Sequence, residues 1–471
     1  MQITIKEFTL TFNHKCITNP FNQTIYPGDR IGIIGRNGSG KSSLIKALAG
    51  LNHHYDGEII VKDGVISYIP QLVINQDSQL SGAQQFNQYL TQALQTNPEV
   101  LLLDEPTNHL DMHNRTALVG LLKRYTGILV IATHDVELLN IVDTIWHINN
   151  GDVNVFNGSY AMYMQQQEHA YNQLNSSIKQ LNQEKKDAHQ KLMQEQNRAK
   201  KKKAYGEKKY DGDKLALRSA QGRGQLTHNH NLAYIKTTKD QVIQKLQKLY
   251  VPEVITPQFE LNANISNGNI LSIINGEVSY SRNHPIISKI NLQIGAKEKV
   301  FISGSNASGK STLVKAILQN NSIISSGEWR CPDIATVGYI DQHYNNLDCG
   351  KSAVELIQEV VPKWSHAEIR KHLNQFLLRK NEEVNLAVAC LSGGEMARLS
   401  LALIAAKPPT LLILDEITNN IDLETKEHLI QVLRNYPGAM ILICHDMDFV
   451  EKLEIDRKYL IANGGLAEII R

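Results

Sequence analysis

The chain has 471 residues and a formal net charge of +2, and 42% of its residues are hydrophobic against 20% charged. Because a single core seldom grows beyond about 250 to 300 residues, this length predicts two globular domains and a connecting segment. The composition excludes a fibrous or wholly disordered chain, and the apolar runs are too short to cross a bilayer. We therefore expect a cytoplasmic protein without a membrane span.

The start of the chain and its cysteines favour the same location. The chain begins with a strand-like alternation, Met1-Gln-Ile-Thr-Ile, and lacks the basic and apolar regions of a signal peptide. No two cysteines have CxxC spacing, which favours reduced thiols and argues against zinc or an iron–sulfur cluster. We expect packing roles for Cys16, Cys331, Cys349, Cys390 and Cys444.

The first half opens with a glycine-rich loop, Gly35-Arg-Asn-Gly-Ser-Gly-Lys-Ser42, between an apolar strand pattern and a helical pattern. This is the context of a P-loop, in which backbone N–H groups and a helix N-terminus surround phosphates. Lys41 would reach the β- and γ-phosphate oxygens, and Ser42 would bind Mg²⁺. The predicted ATP-binding residues of this loop are Gly35, Asn37, Gly38, Gly40, Lys41, Ser42 and Ser43.

Three further positions in the first half carry side chains suited to ATP hydrolysis. Asp104 ends an apolar strand and would hold Mg²⁺, whereas Glu105 would orient or deprotonate the attacking water. His134 follows a second buried strand and would contact the γ-phosphate, and Gln71 would contact Mg²⁺ or the water. The alternatives are solvated carboxylates at a strand end and an ordinary core or surface histidine.

The second half repeats this set at matching spacings. The acidic pair follows the serine of a Leu-Ser-Gly segment by 23 residues in both halves, and the histidine follows the aspartate by 30 residues in both. The residues with the corresponding predicted roles are Gly304, Asn306, Gly309, Lys310, Ser311, Thr312, Gln342, Asp415, Glu416 and His445. Phe12 and Tyr280, 29 and 30 residues before the P-loop lysines, would stack on adenine, with a core role as the alternative.

The two halves differ in one spacing. From the glutamine to the Leu-Ser-Gly serine there are 10 residues in the first half and 50 in the second. The first half therefore lacks most of a helical insertion. We place the domains at residues 1–162 and 256–471, with a linker at 163–255.

The linker is strongly basic. Residues 171–250 contain 18 Lys or Arg and 7 Asp or Glu, a net charge of +11. An a/d pattern predicts a helix packed along a partner; its positions are Leu174, Ile178, Leu181, Lys185, Ala188 and Leu192. A second stripe would return along it through Ile235, Val242, Leu246 and Leu249. We predict an antiparallel helical hairpin with a basic tip between residues 200 and 224.

These motifs resemble the ABC ATPase superfamily, and their details resemble the ABC-F family of ribosome-binding ATPases. The ABC-F features, besides the hairpin, are Leu391-Ser-Gly-Gly-Glu395, Asp104-Glu-Pro-Thr-Asn-His-Leu-Asp111 and Gly158-Ser-Tyr-Ala-Met-Tyr163. The resemblance implies an α/β fold class: two P-loop cassettes in tandem, joined by the helical hairpin. It also implies a monomer that closes into an intramolecular sandwich around two ATP molecules.

In such sandwiches the serine and glycines of one Leu-Ser-Gly signature complete the ATP site of the other cassette. Site one would therefore join Lys41, Ser42, Asp104, Glu105 and His134 to Ser392, Gly393 and Gly394. Site two would join Lys310, Ser311, Asp415, Glu416 and His445 to Ser81 and Gly82.

Three departures from the family pattern fall mainly on site two. The first signature reads Leu80-Ser-Gly-Ala-Gln-Gln85, and the second acidic motif reads Asp415-Glu-Ile-Thr-Asn-Asn-Ile-Asp422. The second P-loop has Ala307 in place of its middle glycine, which adds a methyl group where φ is often positive. We expect binding at site two to survive and its hydrolysis rate to be in question.

The resemblance implies a soluble ATP hydrolase that enters the ribosomal E site with ATP bound. Its linker would point towards the P-site tRNA and the peptidyl-transferase centre, as a translation factor or as a ribosomal protection protein in antibiotic resistance. A basic hairpin on an otherwise acidic body also favours contact with rRNA phosphates.

Other functions remain open at this point. The chain could be the fused ATPase subunit of a membrane importer, although the shortened first cassette and the basic linker argue against it. A DNA-repair ATPase, a non-catalytic ATP-gated clamp and a hairpin that only spaces the cassettes are further alternatives.

Overall fold

A computed structural model of the chain describes residues 2–12, 15–62, 64–71, 82–108, 110–209, 268–281, 284–379, 381–419 and 421–469. The chain divides into two units. One combines Met1–Ala161 with Val254–Arg471, and the other is Met162–Glu253. The first unit holds both cassettes, and the second holds the linker.

The first cassette alternates strands with helices, as the βα pattern of its motifs predicts. Its strands are β1 (Gln2–Phe12), β2 (Lys15–Cys16), β3 (Phe21–Ile25), β4 (Arg30–Gly35), β5 (Tyr55–Lys62), β6 (Ile66–Ile69), β7 (Val100–Asp104), β8 (Ile128–Ala132), β9 (Thr144–Asn149) and β10 (Asp152–Asn157). Its helices are α1 (Lys41–Leu48), α2 (Gly82–Gln95), α3 (Met112–Arg124) and α4 (Val136–Leu139).

Helix α5 (Tyr160–Lys209) is 50 residues long and supplies the first arm of the linker. At 1.5 Å per residue such a helix extends about 75 Å. Along the predicted stripe Ala188 and Leu192 are buried and Leu174, Ile178 and Leu181 are half-buried, whereas Lys185 is exposed. Residues 200–209, predicted as part of the tip loop, are helical and form the end of α5, because the helix continues through Lys209. The rest of the tip and the predicted returning arm lie outside the described residues, so the hairpin stays a prediction.

The second cassette repeats the order and adds helices before its signature. Its strands are β11 (Asn269–Ser279), β12 (Pro285–Gly295), β13 (Lys299–Gly304), β14 (Ile324–Arg330), β15 (Val337–Ile340), β16 (Leu411–Asp415), β17 (Ala439–Ile443), β18 (Arg457–Ala462) and β19 (Gly465–Ile469). Its helices are α6 (Lys310–Ile317), α7 (Ala353–Val360), α8 (His366–Gln375), α9 (Asn381–Asn385), α10 (Gly393–Ala406), α11 (Leu423–Arg434) and α12 (Met447–Lys452).

Both cassettes have a parallel sheet that places their motifs along one edge. The strand order is β9-β4-β8-β7-β6 in the first cassette and β18-β13-β17-β16-β15 in the second. All these neighbours are paired in parallel. The carboxyl ends of parallel strands meet at one edge, which is where ligands bind in open α/β sheets. The P-loop, the acidic pair and the histidine therefore follow neighbouring strands.

The central strands are apolar because both faces of the sheet are covered. Every residue of β7, β8, β16 and β17 is buried. The α/β fold class with two cassettes is thus confirmed. Strands β1, β3 and β5 form a separate antiparallel sheet in the first cassette, whereas β11, β12 and β14 join the main sheet of the second.

The long spacing before the second signature is helical, as its length indicated. Helices α7, α8 and α9 fill it, and Ile357, Ile369, Leu373 and Val384 pack into one buried cluster with α10 residues. Ser352 and Ser365 start α7 and α8 with capping boxes, in which serine and glutamate satisfy each other's backbone N–H groups.

The expectation that all cysteines are packing residues is wrong. Cys444 is buried, but Cys16, Cys349 and Cys390 are exposed. Exposure arises because each of these three lies at the end of a short element or in a loop rather than on a core strand.

Candidate functional site

The first P-loop has a backbone shape that only glycines adopt without strain. Gly38 and Gly40 have φ of 77° and 100°, in the left-handed region. A Cβ on Gly35 would come 2.5 Å from the carbonyl oxygen of Ile148. Lys41 is buried, and its Nζ donates to the carbonyl oxygens of Gly35 and Arg36 at 2.8 and 3.2 Å. The loop is therefore folded around its own lysine.

The second P-loop has the same shape with one strained residue. Lys310 Nζ donates to the carbonyl oxygens of Gly304 and Ser305 at 2.9 and 3.0 Å. Gly309 has φ of 102°, and Ala307, which stands where the first loop has Gly38, has φ of 61°. A non-glycine residue is uncommon there because its Cβ crowds the backbone. The positive φ suspected at Ala307 is present.

Side chains that carry hydroxyl or carboxylate oxygens meet beside each P-loop. Ser42 Oγ donates to Asp104 Oδ1 over 3.1 Å, and in the second cassette the hydroxyl of Tyr339 is 3.5 Å from Asp415 Oδ2. Burial raises the pKa of Asp104 and raises that of Asp415 to about 6. Hard oxygen ligands beside a phosphate cradle suit Mg²⁺. Ser42 with Asp104, and Ser311 with Asp415, would hold it.

Each P-loop also contains one hydroxyl without a hydrogen-bond partner among the described residues. These buried atoms are Ser39 Oγ and Ser308 Oγ. A buried hydroxyl usually finds a partner. Both lie in the P-loops, so an oxygen of a bound phosphate group would accept a hydrogen bond from each hydroxyl.

The two glutamates that follow these aspartates have left-handed backbones, with φ of 46° at Glu105 and 55° at Glu416. Each backbone N–H donates to the neighbouring strand, to Ala132 O and Ile443 O respectively. Such strain persists where the surrounding structure determines it, and it clusters at functional sites. The turn aims both carboxylates at the histidines of their own cassettes.

Each glutamate faces one histidine. The distance from His134 Nε2 to Glu105 Oε1 is 3.5 Å, and that from His445 Nε2 to Glu416 Oε1 is 3.3 Å. Burial raises the pKa of Glu105 to about 8, against the opposing charge of Lys41. Burial also acts on Glu416, but the contact with His445, the charge of Lys310 and the hydrogen bond from Asn419 together outweigh it and lower its pKa. The pKa values of the two carboxylates are therefore shifted in opposite directions.

The two cassettes touch through their P-loops. Asp422 Oδ2 accepts from the backbone N–H of Asn37 over 3.4 Å, and Asp111 Oδ2 accepts from that of Asn306 over 3.2 Å. The other carboxylate oxygen of each aspartate caps a helix of its own cassette, α11 or α3. The two contacts are equivalent, so the cassettes meet head to tail.

The second signature lies next to this contact. Ser392 is the N-cap of α10 and forms a capping box with Glu395. A Cβ on Gly394 would come 3.9 Å from Asp422 Oδ2, the oxygen that contacts Asn37. Gly394 therefore lies beside the aspartate that contacts the first P-loop, and the completion of site one by Ser392, Gly393 and Gly394 stays a prediction.

Other predicted residues are less completely placed. Gly82 begins α2, and Ser81 and the side chain of Phe12 lie outside the described residues. Gln71 and Gln342 each follow an edge strand, β6 or β15, by two residues. Tyr280 directly follows β11 and is half exposed, so a core role is excluded for it. Ser43 and Thr312 lie on α1 and α6.

Sequence reasoning missed Asp111, Asp422, Tyr68 and Tyr339 as site residues. Both aspartates stand seven residues after the aspartate of the acidic pair in their half, and both tyrosines stand three residues before the predicted site glutamine, Gln71 or Gln342. Burial and the charge of Asp104 raise the pKa of Tyr68, and Tyr339 is affected in the same way by Asp415. The shared offsets were the signal that would have found them.

Comparison with known families agrees with this geometry. Residues 18–72 and 287–419 match the ABC transporter family, and residues 73–140 match a family described as "AAA domain, putative AbiEii toxin, Type IV TA system". The chain carries two ABC transporter domains. They contain the first P-loop and, in the second cassette, the segment from the P-loop to the acidic motif.

Relatives over most of the chain come from the ABC-F family, so the resemblance is confirmed. The ribosome protection protein VmlR of Bacillus subtilis is 27% identical over 98% of this chain and 87% of its own length. The erythromycin resistance ATP-binding protein MsrA of Staphylococcus epidermidis is 27% identical over 99% of this chain and 100% of its own. A probable ATP-binding cassette sub-family F member 3 homolog of Encephalitozoon cuniculi is 24% identical over 91% and 74%.

None of the helices in the described part of the chain combines the length and the apolar character that crossing a bilayer requires.

Proposed function

We propose that this protein is an ATP hydrolase of the ABC-F type that binds two ATP molecules between its cassettes and acts on the ribosome. The paired contacts of Asp422 with Asn37 and of Asp111 with Asn306 carry the proposal, because they place each P-loop against the opposite cassette. The proposed domains are residues 1–162, 163–255 and 256–471.

At each site the described residues divide the chemistry of hydrolysis. Lys41 or Lys310 binds the β- and γ-phosphate oxygens, and His134 or His445 contacts the γ-phosphate. The water oxygen forms a bond to the γ-phosphorus while Glu105 or Glu416 accepts a proton from that water. The bond between the γ-phosphorus and the β–γ bridging oxygen breaks, which releases ADP and phosphate. Bound Mg²⁺ would neutralise phosphate charge. The described signature helix α10 would close site one over the nucleotide.

The charge of the linker and the identity of the relatives support the ribosome as the proposed binding partner. Along α5, residues 191–209 contain eight Lys or Arg and two Asp or Glu, whereas residues 160–190 contain three of each. The charge is therefore concentrated at the far end of a helix about 75 Å long. Such a charge distribution favours phosphate backbones. We place the protein in the E site, with the linker towards the P-site tRNA and the peptidyl-transferase centre.

The proposed protein would act as a translation factor or as a ribosomal protection protein. Relationship to VmlR, a ribosome protection protein, and to MsrA, an erythromycin resistance ATP-binding protein, supports the second role. The cytoplasm is the corresponding location, and no transmembrane partner is needed.

The direct test combines Glu105→Gln with Glu416→Gln. The amides keep the shape of the sites but cannot accept the proton, so ATP binding should persist while turnover falls at least about 100-fold. Co-sedimentation should show ribosome binding that is tighter with ATP than that of the unchanged protein. Equal ribosome binding with and without ATP would contradict the proposed cycle, and co-sedimentation with membranes instead would favour the importer subunit.

The linker is tested separately by replacing Lys200, Lys201, Lys202 and Lys203 with Gln. Loss of phosphate contacts should weaken ribosome binding and flatten its dependence on salt concentration. Basal ATP hydrolysis should hardly change, because the substitutions lie outside both cassettes. A protein with these four glutamines and an unchanged salt dependence would show that the helix is only a spacer.

A further inference from the structure

A largely buried arginine joins the loops that follow β8 and β17, the strands that precede the two histidines. Arg115 lies on the first turn of α3, four residues after the N-cap Asp111. Its Nη2 is 2.8 Å from Asp135 Oδ2, and its Nη1 donates to the carbonyl oxygen of His445 over 2.6 Å. The Arg115 side chain is 13% exposed and that of Asp135 is 7% exposed. One guanidinium therefore contacts both cassettes at once.

These contacts continue to the glutamates at both sites. Asp135 directly follows His134, whose Nε2 faces Glu105, and caps α4 by accepting from the N–H of Glu137 over 2.8 Å. On the other side, the carbonyl that receives Arg115 belongs to His445, whose Nε2 faces Glu416. A continuous series of contacts thus runs from Glu105 through the His134–Asp135 segment and Arg115 to His445 and Glu416.

The equivalent residue of the second cassette does not make this bridge. Lys426 also stands four residues after its N-cap, Asp422. Its Nζ lies 2.6 Å from Asp446 Oδ2 and 2.9 Å from Asp448 Oδ2, both in its own cassette. A guanidinium presents several N–H donors in a fixed planar fork, whereas an ammonium is a compact point charge. Arginine can serve Asp135 and the His445 carbonyl together.

Carboxylates of both cassettes surround this bridge. Glu137 has a raised pKa because of burial, with the charges of Asp135 and of Asp446 from the other cassette adding to it. Two cations, Arg115 and Lys426, face these acidic groups. Removing a buried cation would leave its carboxylate unpaired, so substitutions that keep the positive charge are the informative ones.

We propose that Arg115 is a positioning residue that couples the two ATP sites, by holding the loop of His445 against the loop of His134. ATP at one site orders its own histidine loop, and the bridge passes that ordering to the other loop. Linkage requires the coupling of binding to be reciprocal. The inference rests on the proposed function for the identity of the ligand.

The test measures binding of a fluorescent ATP analogue, with Mg²⁺, in the Glu105→Gln and Glu416→Gln background. Occupancy of one site should raise affinity at the other by about fivefold or more. With Arg115→Lys added, the charge next to Asp135 remains but the bond to the His445 carbonyl is lost. The ratio of the two affinities should then fall to near one while the melting temperature stays close.

Lys426→Arg is the matched control, because it also exchanges one buried cation at the same helix position. It should leave the affinity ratio unchanged. Asp135→Asn removes the negative charge that holds Arg115 at the other end of the bridge. It should lower the ratio as Arg115→Lys does, which covers the case in which the arginine variant fails to fold. An unchanged ratio in both bridge variants, or an equal loss in Lys426→Arg, would overturn the inference.

Turnover in the unchanged protein separates the two proposals. If the protein binds two ATP analogues but hydrolyses no ATP, the proposed hydrolase activity fails while the affinity ratio still tests Arg115. If it hydrolyses ATP and its two sites bind independently, the coupling by Arg115 fails and the hydrolase activity stands.

Discussion

The two cassettes are built on the same strand order, but they differ at the residues around their sites. The first has an unstrained P-loop with Gly38, yet its Glu105 is buried and has a pKa raised to about 8. The second has the strained Ala307, but contact with His445 keeps the pKa of Glu416 low. Departures from the family motifs thus predict a weaker site two, whereas the carboxylate environments favour ionisation there. Agreement with the family motifs and the electrostatics around the glutamate are therefore separate influences on the activity of each site.

The largest difference between the two sites should come from substituting the serines of the two Leu-Ser-Gly signatures. Ser392→Arg places bulk and charge at the γ-phosphate of site one, whereas Ser81→Arg does so at site two, whose signature is already altered. We expect about a 100-fold loss of ATP hydrolysis for Ser392→Arg, equivalent to about 2.7 kcal/mol, and at most about threefold for Ser81→Arg. Rates at saturating ATP measure both. Equal losses would show that the motif departures do not set the asymmetry.

The loss of the Ser392 N-cap is a separate effect of that substitution and costs about 1 kcal/mol of stability. Ser392→Thr keeps a hydroxyl cap and is the control. Its melting temperature and ATP hydrolysis should stay close to those of the unchanged protein.

Acid should destabilise the second cassette through His428, a position occupied by Ala117 in the first. Burial, and then Arg398, lower the pKa of His428 to about 4. The unfolded chain binds a proton below about pH 6.5 and the folded chain only near pH 4, so stability falls as pH drops through this window. The loss approaches about 3 kcal/mol. Thermal melting from pH 7 to pH 5 should show a flatter profile for His428→Leu.

The exposed His113 provides the control for this pH dependence. His113→Gln should keep the profile of the unchanged protein. If His428→Leu leaves the profile as steep as before, the acid sensitivity arises elsewhere.

The P-loops should respond in opposite directions to exchange of their distinguishing residues. Gly38→Ala adds a Cβ that meets nothing within 4 Å, so its cost is conformational only and about 1 kcal/mol. Ala307→Gly relieves the left-handed strain and should stabilise the protein, by less than about 1 kcal/mol because glycine also loosens the unfolded chain. Melting temperatures that move in the same direction would refute the strain assigned to Ala307.

The smallest effect should come from an ion pair found at one cassette contact. Arg36 in the first P-loop forms a bidentate pair with Glu424 at 2.6 and 2.7 Å, but their side chains are 62% and 40% exposed. Solvent screening limits such a pair to under about 1 kcal/mol. Arg36→Ser copies Ser305 of the second loop and should change the ATP concentration for half-maximal hydrolysis by less than about threefold.

That small change should disappear at high salt, where exposed charges are screened. A larger effect that persisted in high salt would mean that Arg36 contacts the nucleotide itself.

Residue patterns predicted the parts of the fold that depend on local rules. Apolar runs gave the buried strands, the P-loops lie between a strand and a helix as their flanks indicated, and the 50-residue spacing became helices α7 to α9. The roles assigned to individual site residues remain predictions.

Contacts between the halves could not be predicted in the same way, because they depend on how two surfaces meet. Asp111 and Asp422 were visible as the ends of motifs, but only the structure shows one oxygen capping a helix and the other reaching the opposite P-loop. The bridge of Arg115 to the His445 carbonyl joins residues 330 positions apart. The left-handed turns at Glu105 and Glu416 likewise have no local sequence signal, since neither is a glycine.

The contacts between the P-loops and the opposite cassettes predict that one chain closes around two ATP molecules. Native mass spectrometry of the Glu105→Gln and Glu416→Gln protein, incubated with ATP and Mg²⁺, tests this closure. We expect a monomer that retains two ATP molecules, because each P-loop would be completed by the other cassette of the same chain. A monomer that retains one ATP or none, or two only within a dimer, would contradict it.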